Sequence, residues 1–199
     1  MLQAWLLVVA LALLATAWPA CAVEPLRLAG ERAIPLNDVI AYRHDVYASD
    51  GATDAFAQAR AGRFSPLPDG SPNFGFQRGA YWFYLPLVNT QRDESRWLLV
   101  QQYALSDQLD LYLRYPDGRV EHHASGDHVP FNSRYIRYRH PNFRLDLPVG
   151  EQVELLVRVQ SQSSMQVPLV LYTPRAFAEV MRDAQFSTGL YYGIVLALL

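Results

Sequence analysis

The sequence predicts a mainly β chain: a jelly-roll-like antiparallel β-sandwich with an N-terminal signal helix and a C-terminal helix entering the membrane. Three observations carry this reading. From residue 80 onward, short runs rich in aromatic and branched residues alternate with polar breaks at intervals of about ten residues. The breaks are Pro, Gly and Asp turns and not helical segments, which favours antiparallel pairing over a βαβ sheet. Two almost uncharged apolar stretches stand at the ends, over residues 1–17 and 186–199.

Taken in chain order, residues 29–38 read as loop and 39–44 as a first strand. Residues 53–61 read as a short helix, with Asp50 or Thr53 available as N-cap and Gly62 as its stop. Pro66, Pro68, Gly70, Pro72 and Gly75 then force a loop, because restricted and permissive φ values alternate along it. Strands are predicted over 81–88, 96–102, 108–115 and 119–124, the last two joined by a hairpin at Pro116, Asp117 and Gly118. Residues 125–141, rich in Arg and His, read as a long loop. Alternation resumes over 142–147, where Phe143, Leu145 and Leu147 share a face, and strands follow at 153–159 and 166–172. Thr173 and Pro174 open a helix, as N-cap and first helical residue, that leads through Phe177 and Met181 into the apolar C-terminal stretch.

The ends divide the chain into four expected parts: a signal peptide at 1–22, a β-sandwich domain at 23–173, a connecting helix at 174–185 and a truncated first transmembrane helix at 186–199. The apolar N-terminal run closes on Ala20, Cys21 and Ala22, a small-x-small pattern that places signal cleavage after Ala22. No Lys or Arg precedes the run; an uncleaved anchor and a lipoprotein at Cys21 are the alternatives. The C-terminal stretch is shorter than the roughly 20 residues a span needs, and a buried core helix is its alternative reading. Gly189 and Gly193 form a Gly-x-x-x-Gly pair, and Tyr191 and Tyr192 suit a membrane interface.

Composition narrows the function classes. With 51% hydrophobic and 18% charged residues the chain is not disordered as a whole. A net charge of -2 gives no basis for nucleic-acid binding. Every basic residue other than His is Arg, and the one cysteine falls in the signal segment, leaving a mature domain held by packing without disulfides.

Candidate chemistry is that of recognition and not of catalysis. No Gly-x-Ser-x-Gly elbow, mature cysteine nucleophile or His-Glu-x-x-His motif is present. Tyr81, Trp82, Phe83 and Tyr84 alternate in direction, so one pair lies in the core and the other faces a second layer or a ligand. Trp82 and Tyr103 are the candidate stacking platforms, with core packing as the competing role. Asp107, Asp110 and Asp127 are candidate polar contacts; converging carboxylates would hold Ca²⁺, although turns and caps use the same residues. Arg134, Arg137 and Arg139 alternate, so an extended backbone would set three guanidinium groups on one side to clamp a carboxylate or acidic sugar. Pairing with Asp127 and Asp146 is the plainer alternative. Adjacent His122 and His123 in a strand point to opposite faces and do not make a metal site.

Several phrases taken together resemble one family. They are Gly79, Ala80, Tyr81, Trp82 and Phe83 with Leu87, Val88 and Asn89; Trp97 to Val100 with Leu109 to Leu113; Gly126 and Asp127 with Pro130, Phe131 and Arg134; Arg158 to Ser161 with Pro168 to Leu171; and Gly189 to Gly193. Their order resembles the type-two extracellular domain of bacterial seven-transmembrane receptors with diverse intracellular signalling modules, over roughly residues 34–173. The resemblance implies a periplasmic jelly roll similar to carbohydrate-binding modules and anchored to the inner membrane. It further implies a seven-helix membrane unit and an output such as a histidine kinase or diguanylate cyclase. Arg134 gains weight as a ligand contact because it falls in a family phrase. The expected function is sensing of a carbohydrate-like or other small polar ligand. A sugar-active enzyme and a module that pairs with itself or another receptor are the alternatives.

Overall fold

The computed structural model describes residues 23–30 and 33–198. The expected signal segment, with Cys21, lies outside the described residues. Among the described residues eleven strands are present: β1 (Leu26–Leu28), β2 (Ala33–Pro35), β3 (Ala41–Asp45), β4 (Ser65–Pro66), β5 (Ala80–Asn89), β6 (Arg96–Gln101), β7 (Gln108–Arg114), β8 (Val120–Ser125), β9 (Asn142–Asp146), β10 (Gln152–Gln160) and β11 (Leu169–Tyr172). Among the described residues two α-helices accompany them, α1 (Ala52–Arg60) and α2 (Pro174–Ala197).

The strands form two sheets. The larger runs β4-β3-β5-β10-β7-β8, with β1 also on β5; the smaller runs β2-β11-β6-β9. Every pair is antiparallel except β1 with β5. The chain passes repeatedly between sheets, so inward residues of both meet in one core. Tyr81, Phe83, Leu85 and Leu87 of β5 enter it from the larger sheet, and Trp97, Leu99, Leu145 and Leu171 from the smaller. Each fully buried side chain of this size contributes roughly 1.5–3 kcal/mol.

The other faces of the sheets are also covered. Ala55, Phe56 and Ala59 of α1 pack on Trp82, Tyr84 and Leu156 of the larger sheet. Ala176 and Phe177 of α2, with the partly buried Met181, pack on Leu98, Val100, Val170 and Tyr172 of the smaller. The result is helix, sheet, sheet, helix. It explains why β5 is buried at nearly every position, where a half-exposed strand would alternate. Pro86 lies inside this central strand, where a missing N–H would normally break a ladder. Along that edge β3 pairs no further than Tyr84 and β1 begins at Leu87, so Pro86 occupies the gap between two neighbours.

Several predicted boundaries shift. Residues 29–38, read as loop, contain β2, and β1 precedes them; both are three-residue strands that complete existing sheets and are too short for a periodicity of their own. Helix α1 is capped by Gly51, with no side-chain cap from Asp50 or Thr53. Thr173 does cap α2, its Oγ1 accepting from the Ala176 N–H at 3.4 Å. From Phe186 the α2 side chains are uncharged, and Phe186, Tyr191, Leu196 and Leu198 are all exposed. No helix among the described residues is long and apolar enough to cross a membrane.

Candidate functional site

The register of the larger sheet arranges its outward side chains in rows across the strands. One row sets Arg43, Trp82, Arg158 and Asp110 side by side on β3, β5, β10 and β7. The next sets Ala41, Tyr84, Leu156, Tyr112 and His122. Trp82 is 1% exposed, with the Arg158 guanidinium 5.8 Å from its ring and Tyr112 at 6.1 Å. It is therefore part of the layer beneath α1, and its face is not open to a ligand. Asp110 is also buried. Its carboxylate accepts from Gln108 at 2.9 Å, lies 3.6 Å from Arg158 and meets the His122 Nε2 at 2.9 Å. Burial, and next the Asp110 charge, raise the Tyr112 hydroxyl above its ordinary value. Tyr84 is raised too, by burial first and then by its 2.7 Å bond to Glu154. These groups are neutral at physiological pH and serve as hydrogen-bonding partners.

Beyond the Trp82 row, α1 no longer covers the sheet and the surface opens into a cleft of about 480 Å³. Its walls include Phe76, Arg78, Asp107, Gln108, Gln160 and Gln162, with His128 at the rim. Phe76 is 81% exposed, an unusual setting for a large apolar ring in a loop. Gln160 and Gln108 connect the cleft to the buried row, the first accepting from Arg158 at 2.6 Å and the second donating to Asp110.

Three loops are tied together around Asp107. Its Oδ2 accepts from the Gln162 N–H at 2.5 Å and from the Ser161 hydroxyl at 3.2 Å, which holds the β10–β11 loop. Its backbone carbonyl accepts from the His128 N–H, and the neighbouring Ser106 carbonyl from the Asp127 N–H, which holds the β8–β9 loop. Gly126 makes this approach possible: its φ is +111°, and a Cβ there would meet the Asp107 carbonyl oxygen at 2.5 Å. Asp107 thus shapes the cleft while lining it.

The remaining expected residues are scattered. Tyr103 is half-buried in the β6–β7 loop, and Asp127 is exposed. Asp107, Asp110 and Asp127 do not converge, and among the described residues no group of three or more His, Cys, Asp or Glu is placed to hold a metal ion. The alternating arginines do not form a clamp, because residues 134–140 are not extended as a strand. Arg137 is exposed. Arg134 folds back on its own loop, its Nη1 donating to the Tyr138 and Arg139 carbonyls at 2.9 Å each, with the Phe131 ring 4.9 Å away. That loop is further held by Asn142, whose side chain accepts from the Ile136 N–H and donates to the Ile136 carbonyl.

Sequence reasoning missed Phe76, Gln108, Gln160 and Gln162. Phe76 carried a usable signal, since it is a large apolar residue inside a Pro- and Gly-rich loop with no periodic partner. The glutamines carried none, because the register of β7 and β10 pairs Gln108 with Gln160 and the bond of the Gln162 N–H to Asp107 brings the third beside them.

Among solved structures, the chain is similar to a β-glucuronidase from an uncultured Clostridium sp., at 13% identity and a TM-score of 0.43, over 75% of this chain and 30% of the other. It is similar to the β-glucuronidase of Ruminococcus gnavus in complex with D-glucuronic acid, at 11% identity and a TM-score of 0.40, over 77% and 31%. For the Faecalibacterium prausnitzii β-glucuronidase the values are 14%, 0.38, 73% and 32%. The chain spans less than a third of each of these proteins, and likenesses this distant say nothing of its activity. No curated protein matches the sequence. A family model, by contrast, matches residues 38–173, from the turn before β3 to the N-cap of α2. The chain belongs to the 7TMR-DISM extracellular 2 family, the extracellular sensor domains of seven-transmembrane receptors.

Proposed function

We propose that this domain senses a carbohydrate-like or other small polar ligand in the periplasm, in the cleft between Phe76 and Asp107. The observation that carries this reading is an exposed aromatic ring beside a concave wall of amides and a carboxylate. A sugar offers both complements: C–H faces for the ring, and hydroxyls that donate to Asp107 and exchange hydrogen bonds with Gln108, Gln160 and Gln162. In this reading residues 1–22 export the chain, 23–173 form the sensor and 174–185 connect it to a first membrane helix beginning at 186. The exposed apolar half of α2 supports the last step, because an all-round apolar helix surface needs lipid or protein around it. The ligand signal then passes to a seven-helix unit in the inner membrane and a cytoplasmic output domain. The role is recognition without turnover.

The test is thermal shift and calorimetry of the chain against neutral mono- and oligosaccharides, amino acids and Ca²⁺, repeated with Phe76→Ala. A polar ligand that raises Tm should lose roughly tenfold in affinity in the variant, about 1.4 kcal/mol. A panel without any responder, or a responder indifferent to Phe76→Ala, would overturn the assignment to this cleft.

A further inference from the structure

The cleft between Phe76 and Asp107 carries two opposite charges that do not meet. Arg78 and Asp107 both line it, yet they form no ion pair. Their compensation differs. Asp107 already has two protein donors on Oδ2, the Gln162 N–H and the Ser161 hydroxyl, while its Oδ1 makes no protein bond. Arg78 is exposed, and among the described residues its guanidinium has neither a carboxylate within ion-pair distance nor a hydrogen-bond acceptor. The uncompensated charge of the cleft is therefore positive.

The backbone that carries Arg78 is held on both sides. Its carbonyl accepts from the His44 Nε2 at 2.7 Å, and the His44 ring stacks on Tyr81 at 4.3 Å. Gly79 beside it has a φ of +88°, and a Cβ there would collide with the Asp45 and Val46 carbonyls, so the loop is pressed onto the turn after β3. On the other side, the Phe74 N–H donates to the Met165 carbonyl at 2.9 Å and the Met165 N–H to the Gly75 carbonyl at 2.7 Å. Phe76 and Arg78 thus stand two residues apart on a fixed segment, both exposed and both lining the same cleft. A ring and a guanidinium mounted together in this way offer one apolar face and one anion contact to a single small molecule.

We propose that this cleft prefers acidic sugars to neutral ones, the carboxylate of a uronic acid pairing with Arg78; the inference rests on the sugar-cleft reading above. The planar fork of the guanidinium matches the two oxygens of a carboxylate. The C–H face of the sugar lies on Phe76, and hydroxyls remote from the carboxylate donate to Asp107 Oδ1 and exchange bonds with Gln108, Gln160 and Gln162. Asp107 repels a carboxylate, so the two charges of the cleft also set which way round the ligand lies.

The experiment is calorimetric titration of the chain with D-glucuronate and D-galacturonate against D-glucose and D-galactose, each acid differing from its neutral partner at the carboxylate. The acids should bind tighter by roughly tenfold or more, the size of one hydrogen-bonded charge pair, and added salt should narrow the gap. Arg78→Gln should bring each acid down to the affinity of its neutral partner, and Arg78→Lys should keep part of the preference as a charge without the fork. Both substitutions retain the backbone carbonyl that His44 holds. Phe76→Ala should weaken acids and neutral sugars alike. Equal binding of acids and neutral sugars, both weakened by Phe76→Ala, would overturn the acid preference and leave the sugar cleft standing. An acid preference unchanged by Arg78→Gln would overturn the role given to Arg78. No binding of any of the four at tens of millimolar would overturn both readings.

Discussion

Phe177→Ala should release α2 from the sandwich. Phe177 is 1% exposed and is the one large side chain of α2 that is fully buried. Its ring meets Tyr138 at 5.2 Å, nearly perpendicular at 86°, and Tyr172 at 5.5 Å. Truncation forfeits the transfer energy of the ring and leaves a cavity, together about 3–5 kcal/mol for a buried Phe. The two aromatic contacts place the cost toward the upper end, since each adds about 0.5–1.5 kcal/mol beyond area. Few other contacts resist undocking: Ala176 is small and Met181 only partly buried. If the helix unfolds with the domain, Tm should fall by roughly 6–20 °C, taking about 2–4 °C per kcal/mol for a chain of this size. If the helix detaches alone, Tm should hold while amide exchange over residues 174–183 rises by about two orders of magnitude or more. Thermal melts and hydrogen-exchange mass spectrometry on the same sample separate these outcomes. A variant that keeps both its Tm and its protection would refute the claim that Phe177 seats the helix.

Two other perturbations test the buried polar groups. Asp110→Asn leaves Arg158, 12% exposed, without its counter-charge, and should destabilise the chain by about 3–5 kcal/mol in denaturant unfolding; Asp110→Leu with Arg158→Met should recover much of that loss. His140 is held below the ordinary imidazole value of 6.5, first by burial and then by Arg139 and Arg134. Its folded form resists protonation, so its contribution is intact above pH 6.5 and declines as pH falls from there toward the lower folded value. Melting curves across that range should therefore slope less in His140→Gln than in the unaltered chain.

What the sequence revealed follows the range of the forces involved. Strands β5 to β11 were legible because alternation and turn residues are local, and Pro116, Asp117 and Gly118 fix the β7–β8 turn unaided. The family phrases were legible because they mark core and loop positions such as Trp97 and Gly126, whose neighbours constrain them. Strands β1 and β2 were not, since each has three residues and depends on the edge it completes. The arginine run misled for a similar reason. Alternation in sequence becomes a one-sided array only on an extended backbone, and Asn142 with Arg134 itself holds this loop bent. The Phe76 cleft required knowing that Gln108 and Gln160 are cross-strand partners.

Only Thr173 separates the last residue of β11 from the first of α2. A joint this short has no slack, so the helix behaves as a stiff rod clamped at one end to the smaller sheet. With 24 residues it is about 36 Å long. A tilt of about 5° at the clamp would carry its far end roughly 3 Å sideways over that length. Mechanical gain of this kind would let a ligand that shifts the smaller sheet by tenths of an ångström produce a movement of a few ångströms at the far end of the helix's exposed apolar half.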